Sequence, residues 1–319
     1  MKYLIVIFFF SLLACKADPK KENQEVIDKD EIIEKRNADQ ELPRISAFPE
    51  PVLRTVTEAV ASTIPRKDDW TLINTHTIEG AELSGVAAVK NDFLVYSDTI
   101  SSTVTLLDIN NGDKEVILDN CKVIYLNQRV ARVIMAAVDR NSVFVFRGAP
   151  DLYSVELPVT INGLTALDGF RIDDWSLVDR GNNRIVLNKG KDHKIIGGSG
   201  QGPSEFNNPS CLRFLGANLY VSDTGNKRIQ MFKIDGTYVK SFGEGELEKP
   251  GGIASDGELL FVCDEALDQI FIYNQDGKLF YKLDKDLEDP RDIFFLQGRL
   301  YVSDASGTIK VFTNSIYQS

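Results

Sequence analysis

From Trp70 onward the chain alternates short apolar runs with small polar segments, and the runs resemble one another. Leu94-Val-Tyr-Ser-Asp98, Trp175-Ser-Leu-Val-Asp179, Leu219-Tyr-Val-Ser-Asp223, Leu260-Phe-Val-Cys-Asp264 and Leu300-Tyr-Val-Ser-Asp304 share one pattern. Val143-Phe-Val-Phe-Arg147 reads as a sixth copy with Arg in place of Asp. Each copy is rich in β-branched and aromatic residues and leads through a small polar loop into a second such stretch, as in Asp223-Thr-Gly-Asn-Lys-Arg-Ile229. The anchors at 98, 147, 179, 223, 264 and 304 are spaced by 49, 32, 44, 41 and 40 residues. A period of about 40–50 residues with strand-type patterning is that of a propeller blade. Asn111-Gly112, Asp235-Gly236, Asp256-Gly257 and Asp276-Gly277 mark hairpins between the strands. No long helical pattern intervenes, which excludes a βαβ arrangement.

Six anchors predict an all-β, six-bladed propeller of four-stranded antiparallel blades over residues 70–319. After the last anchor only Thr308-Ile-Lys-Val-Phe312 remains as a strand, and Trp70–Ile78 precedes the first with no blade of its own. The N-terminal strand is therefore expected to complete the last blade and close the ring, leaving no free seam.

The pattern before Trp70 differs. Met1-Lys2 leads into an apolar run from Tyr3 to Ala14, too short to span a bilayer and of the length of a signal peptide, assigned to 1–14. Leu12-Leu13-Ala14-Cys15 resembles a bacterial lipobox. That resemblance implies cleavage before Cys15, its lipidation, and a lipoprotein held in the bacterial cell envelope by its lipid anchor alone. Residues 15–48 are polar and charged and read as a flexible tether. In 49–69, Val52, Leu53, Val56, Ala59, Val60 and Ile64 keep a helical spacing that ends at Pro65, which predicts a short helix or linker.

Composition narrows the chemistry. The 319 residues carry 36 basic and 47 acidic side chains, a net charge of −11, which disfavours nucleic acid as a partner. Two histidines, His76 and His193, are too few for the usual zinc sets. No catalytic triad, P-loop or dinucleotide fingerprint is present, so no catalytic residue, metal or cofactor is assigned. Beyond Cys15, Cys121, Cys211 and Cys263 are an odd number and read as buried free thiols.

Gly197-Gly-Ser-Gly-Gln-Gly-Pro-Ser-Glu-Phe206, Pro209, the strand ending in Asp223 and Asn226-Lys-Arg-Ile-Gln-Met-Phe232 resemble the NHL repeat, as does Pro250-Gly-Gly-Ile253 to Tyr273. The likeness is strong over about 180–285, fair over 290–312 and weak over 80–160. It implies a propeller of the kind that binds proteins, glycans or RNA, with some lyases and hydrolases among its relatives. The repeated Asp residues are demanded by every blade and read as scaffold. The variable loop residues are the candidates for recognition: Arg147, Arg180, Asn182, Asn183, Arg184, Gln201, Glu205, Asn226, Lys227, Arg228, Glu265 and Asp268. Arg147, Arg180, Arg184, Lys227 and Arg228 come from three successive blades and could form a basic patch for an acidic group. The resulting expectation is a binding module for a protein or glycan. The alternatives are a calcium-dependent lyase or lactonase-type enzyme, or a structural envelope component.

Overall fold

A computed structural model describes residues 70–317, apart from 91–92, 120–122, 130–131, 138–141, 147–151, 172–173 and 190–191. The signal peptide, Cys15, the tether, the 49–69 segment, Cys121 and Arg147 lie outside the described residues. Every regular element apart from short 3₁₀ turns is a strand, and the strands form an all-β propeller of four-stranded antiparallel blades.

Five blades each follow a continuous run of chain. They are β2–β5 (Leu83–Lys90, Phe93–Asp98, Thr103–Asp108, Lys114–Leu118), β6–β9 (Val123–Arg129, Arg132–Ala137, Ser142–Phe146, Leu152–Glu156) and β10–β13 (Leu164–Arg171, Asp174–Asp179, Arg184–Lys189, Asp192–Gly197). β14–β17 (Cys211–Leu215, Asn218–Asp223, Arg228–Lys233, Tyr238–Phe242) and β18–β21 (Pro250–Ser255, Leu259–Asp264, Gln269–Asn274, Leu279–Leu283) follow. The remaining sheet is composite: β22–β24 (Pro290–Leu296, Arg299–Asp304, Thr308–Asn314) take β1 (Trp70–Thr77) as their outer strand. Trp70 pairs with Asn314 and Thr77 with Thr308. The innermost strands touch in the order β2, β6, β10, β14, β18, β22 and back to β2, which makes a ring.

The expectation of six equivalent anchored modules is corrected: five carry the anchor and one does not. Val143-Phe-Val-Phe belongs to β8, a third strand, and not to the second strand on which the other anchors end. The second strand of that blade is β7, and the four-residue connection from Ala137 to Ser142 matches those from Asp98 to Thr103 and from Asp179 to Arg184. Ala137 therefore holds the anchor place, and the spacings of 49 and 32 residues become 39 and 42. The error has a simple cause: β7 ends in small apolar residues, so the next strongly apolar strand was taken in its stead.

The core lies between blades. Second and third strands are buried almost throughout, with Leu219, Tyr220, Val221 and Ile229 fully inaccessible in one blade, and Leu260, Phe261, Val262 and Ile270 in the next. Outer strands are half exposed. Burial of the alternating apolar positions on both faces of each blade drives the stacking. At the composite blade, Trp70 is 6% exposed and meets Phe261 edge-on at 5.7 Å, and its indole N–H donates to the Tyr281 hydroxyl at 2.8 Å. The closing strand is thus locked to the preceding blade as well as to β24.

Candidate functional site

The anchor aspartates build the local geometry of one face. Asp223 is fully buried, and its carboxylate accepts from the Asn207 amide at 2.8 Å, Asn226 Nδ2 and Gln230 Nε2 at 2.9 Å, and Arg228 Nε at 2.9 Å. Asp179 repeats the device with the Asn162 amide at 2.7 Å, Asn182 Nδ2 at 2.8 Å and Arg184 Nε at 2.6 Å. Asp98 and Asp264 have no cation and use turn amides instead: Glu82, Ile100 and Ser101 for Asp98, Glu248, Lys249, Ala266 and Leu267 for Asp264. Burial pushes the Asp98 carboxyl up, but the Ser101 hydroxyl and the Glu82, Ile100 and Ser101 amides together hold it below its ordinary range.

The turn after each anchor ends in a left-handed residue: Ser102, Asn183, Lys227 and Asp268 at φ 50–55°, and Gly307 at φ 85°. That conformation lets the chain reverse into the third strand within four residues. It also aims the side chain at the next blade. Asn183 Oδ1 accepts from the Asn208 amide at 2.6 Å, Asp268 Oδ1 accepts from the Asp289 amide at 2.6 Å, and Lys227 pairs with Glu248. Asn208 and Asp289 each precede the proline that opens the next blade's first strand or approach to it, and Glu248 stands two residues before Pro250. One loop position therefore latches successive blades with different side-chain chemistry each time.

Most residues nominated for recognition belong to these latches. Arg184 also donates to the Thr160 carbonyl at 3.0 Å, and Arg228, 8% exposed, donates to the Gly202 and Glu205 carbonyls. Asn226 holds the Gly200 carbonyl at 2.8 Å. Half-buried Arg180 donates to Asn208 Oδ1, and burial lowers its pKa, with Glu265 opposing. Glu265 pairs with Lys249, and Glu205 accepts from the Gly202 amide at 2.8 Å. Gln201 is exposed and stands outside this network of printed bonds. The four described cations of the expected basic patch thus each have a partner, and Arg147 lies outside the described residues.

A second set of polar groups lines the axis. Innermost strands have an open edge toward the channel, and buried charged side chains cap it. Asp168 Oδ2 accepts from the Phe214 amide at 2.8 Å, Arg213 Nε donates to the Ile253 carbonyl at 3.0 Å, and Asp292 Oδ2 accepts from the Val86 amide at 3.0 Å. Each bond runs from one blade to the next. Arg213 lies 3.8 Å from the Asp168 carboxylate, both groups almost fully enclosed. Burial pushes the Asp292 carboxyl up to about 7, against the Val86 and Ile293 amides and Arg213, which pull it down. Cys211 and Cys263, nearby, are buried free thiols as expected; the Ile253 amide donates to Cys211 Sγ at 3.3 Å, and burial raises the Cys263 thiol well above its ordinary value.

First strands begin beside the anchors, since Pro250 pairs with Asp264 and Pro290 with Asp304, so they end at the opposite mouth of the channel. There a cavity of about 520 Å³ opens over β14, β18 and β22. Arg213 forms part of its wall, with Phe294, Phe295 and Leu296 on one side and Ser255, Asp256 and exposed Gln297 at the rim. Asp256 is fixed by the Glu258 and Leu259 amides and by the Tyr317 hydroxyl, so the rim is preformed. None of the sequence-nominated residues lines it. One signal could have found it: register aligns Asp168 and Arg213 with Ala254 and Phe294, so charges occupy innermost-strand positions that elsewhere are apolar. Among the described residues no group of three His, Cys, Asp or Glu side chains is arranged to hold a metal ion.

No protein-family model matches the chain, and no curated protein matches it in sequence. Solved structures do match. A streptogramin B lyase aligns with TM-score 0.58 at 12% identity, covering 77% of this chain and 98% of the lyase. A protein of unknown function from Bacteroides thetaiotaomicron aligns with TM-score 0.60 at 14% identity, over 76% of this chain and 75% of that one. The WD40 propeller domain of Doa1 aligns with TM-score 0.57 at 12% identity, over 76% and 97%. At such identities the likeness establishes the β-propeller fold, and the fold hosts many functions.

Proposed function

We propose that this propeller is an interaction module that receives a segment of a protein partner at the channel mouth formed by β14, β18 and β22. The observation that carries the reading is the cavity of about 520 Å³ spanning three blades, with an enclosed Arg213 in its wall and aromatic and polar groups at its rim. Concave, partly apolar sites with a few fixed polar groups are the usual seats of ligands. The anchor-side face is less suited, because its charged residues are engaged in holding blades together. Protein interaction also fits the company of the fold, which includes a WD40 domain and a structure of a nidogen/laminin complex. The sequence Leu12-Leu13-Ala14-Cys15 supports display of the module on a membrane by lipid at Cys15.

The test uses the full chain in intact cells, with a photo-reactive residue at Gln297 on the rim or at Gln201 on the anchor-side face. A discrete protein adduct from position 297, lost when Leu296→Arg fills the mouth with charge, is the expected result. Adducts from position 201 alone would move the partner to the other face, and none from either would reject the module. Separately, Cys15→Ser is expected to abolish fatty-acid incorporation and membrane retention. Retention of both would reject the anchor.

A further inference from the structure

The outer strand of every blade has an edge with one side unpaired, and charge is the common protection of such edges. Lys114 and Glu115 lie on β5, Glu156 on β9, Asp192 and Lys194 on β13, Lys240 on β17 and Lys282 on β21. β1 differs. Its sequence, Trp-Thr-Leu-Ile-Asn-Thr-His-Thr, contains no Asp, Glu, Lys or Arg over eight residues. Its one titratable group, His76, is held below its ordinary pKa by burial and is neutral near pH 7. Thr71, Ile73, Asn74, Thr75 and Thr77 are exposed, and Ile73 presents an apolar side chain at 46% exposure. β24 pairs with one edge of β1 and no other described strand covers the second. The Thr75 amide is held for the present by its neighbour Asn74 Oδ1 at 2.8 Å, a local placeholder for an outside acceptor.

We propose that β1 is a self-docking edge, and that two copies of the chain associate through antiparallel β1–β1 pairing about a two-fold axis. Charge favours this occupant over other pairings. Self-pairing brings identical residues or near neighbours together, so a strand with Lys or Glu meets its own charges, whereas β1 brings no charge to charge in any register. The residues are strand formers, and the dimer extends the composite sheet across the axis. The irregularity between Leu72 and Asn74 divides the edge, which confines regular pairing to short stretches on either side. A contact of this size is small, so the association is weak and concentration-dependent.

Sedimentation equilibrium of the full chain over a concentration series is expected to show a monomer–dimer equilibrium. Placing a charge on the edge, in Ile73→Lys and independently in Thr75→Lys, is expected to raise the dissociation constant at least about tenfold. Both positions are exposed, and unchanged melting would show that the ring is intact. Hydrogen exchange then distinguishes occupants. Protection of β1 amides that grows with concentration supports self-docking. Concentration-independent protection would mean that residues 49–69 of the same chain cover the edge, and would overturn the proposal. So would a monomer at all concentrations, or a dimer indifferent to both substitutions.

Discussion

At the residue scale, the anchor aspartates differ in what they leave behind when removed. In Asp223→Ala the Arg228 guanidinium and the Gln230 amide lose a fully buried acceptor, so unfolding free energy should fall by roughly 3–5 kcal/mol, the range for breaking a buried ion pair. Asp98→Ala leaves only turn amides and a hydroxyl unpaired, and should cost about 1–3 kcal/mol. Chemical denaturation of the two variants tests the ordering. The same contrast explains why the sequence misled at the loops. Asn183, Lys227 and Asp268 occupy one structural position yet differ in type, and variation from blade to blade resembles surface free to recognise a ligand. The constraint they share is a left-handed backbone and a reach to the following blade, and neither is visible without coordinates.

Among elements, the innermost strands carry the unusual electrostatics. Asp292 on β22 joins the composite blade to β2, and its raised pKa sets a sign. The folded state binds this proton more tightly than the unfolded chain does, so the contribution is fully present near pH 4 and is lost as pH rises through about 7. Asp98, held low, acts oppositely: its contribution is present above its unfolded value and fades on further acidification. Stability measured by urea titration should therefore rise between pH 8 and 6 in the wild type. In Asp292→Asn, which mimics the protonated acid, that rise should shrink. Strands themselves were legible, because the alternation of Val, Ile, Tyr and Phe with polar residues fixes both their length and their hairpins. The blade β6–β9 was misread because Ala136 and Ala137 interrupt the strong apolar pattern at the end of β7, where the other blades offer a bulky residue and an Asp. The cavity over β14, β18 and β22 could not be found from periodicity, since it arises where three separate strand ends meet.

For the whole molecule, closure depends on a single strand contributed by the other end of the folded chain. Trp70 and Trp175 are the two tryptophans, and Trp70 sits at the junction of β1, β24 and the Tyr281 hydroxyl. Trp70→Ala should cost roughly 3–5 kcal/mol through the lost ring contacts, and a melting curve should show it. A Trp175→Phe variant would leave Trp70 as the sole indole, and its emission should shift to the red in the same transition that removes the strand signal in circular dichroism. A Trp70 transition at lower temperature than the loss of strand signal would instead show that the ring opens at this seam before it unfolds.

The composite sheet also decides how the molecule answers a mechanical load. Whatever restrains the residues ahead of Trp70 is joined to the strand that closes the ring, and that strand begins pairing at Trp70–Asn314 and ends at Thr77–Thr308. Tension applied from that side strips the pairs in sequence, starting with Trp70, and does not shear them all together. Stretched in single-molecule tweezers from its N-terminal side, the propeller should therefore yield first by peeling β1 at low force, with the sheets behind it giving way afterwards.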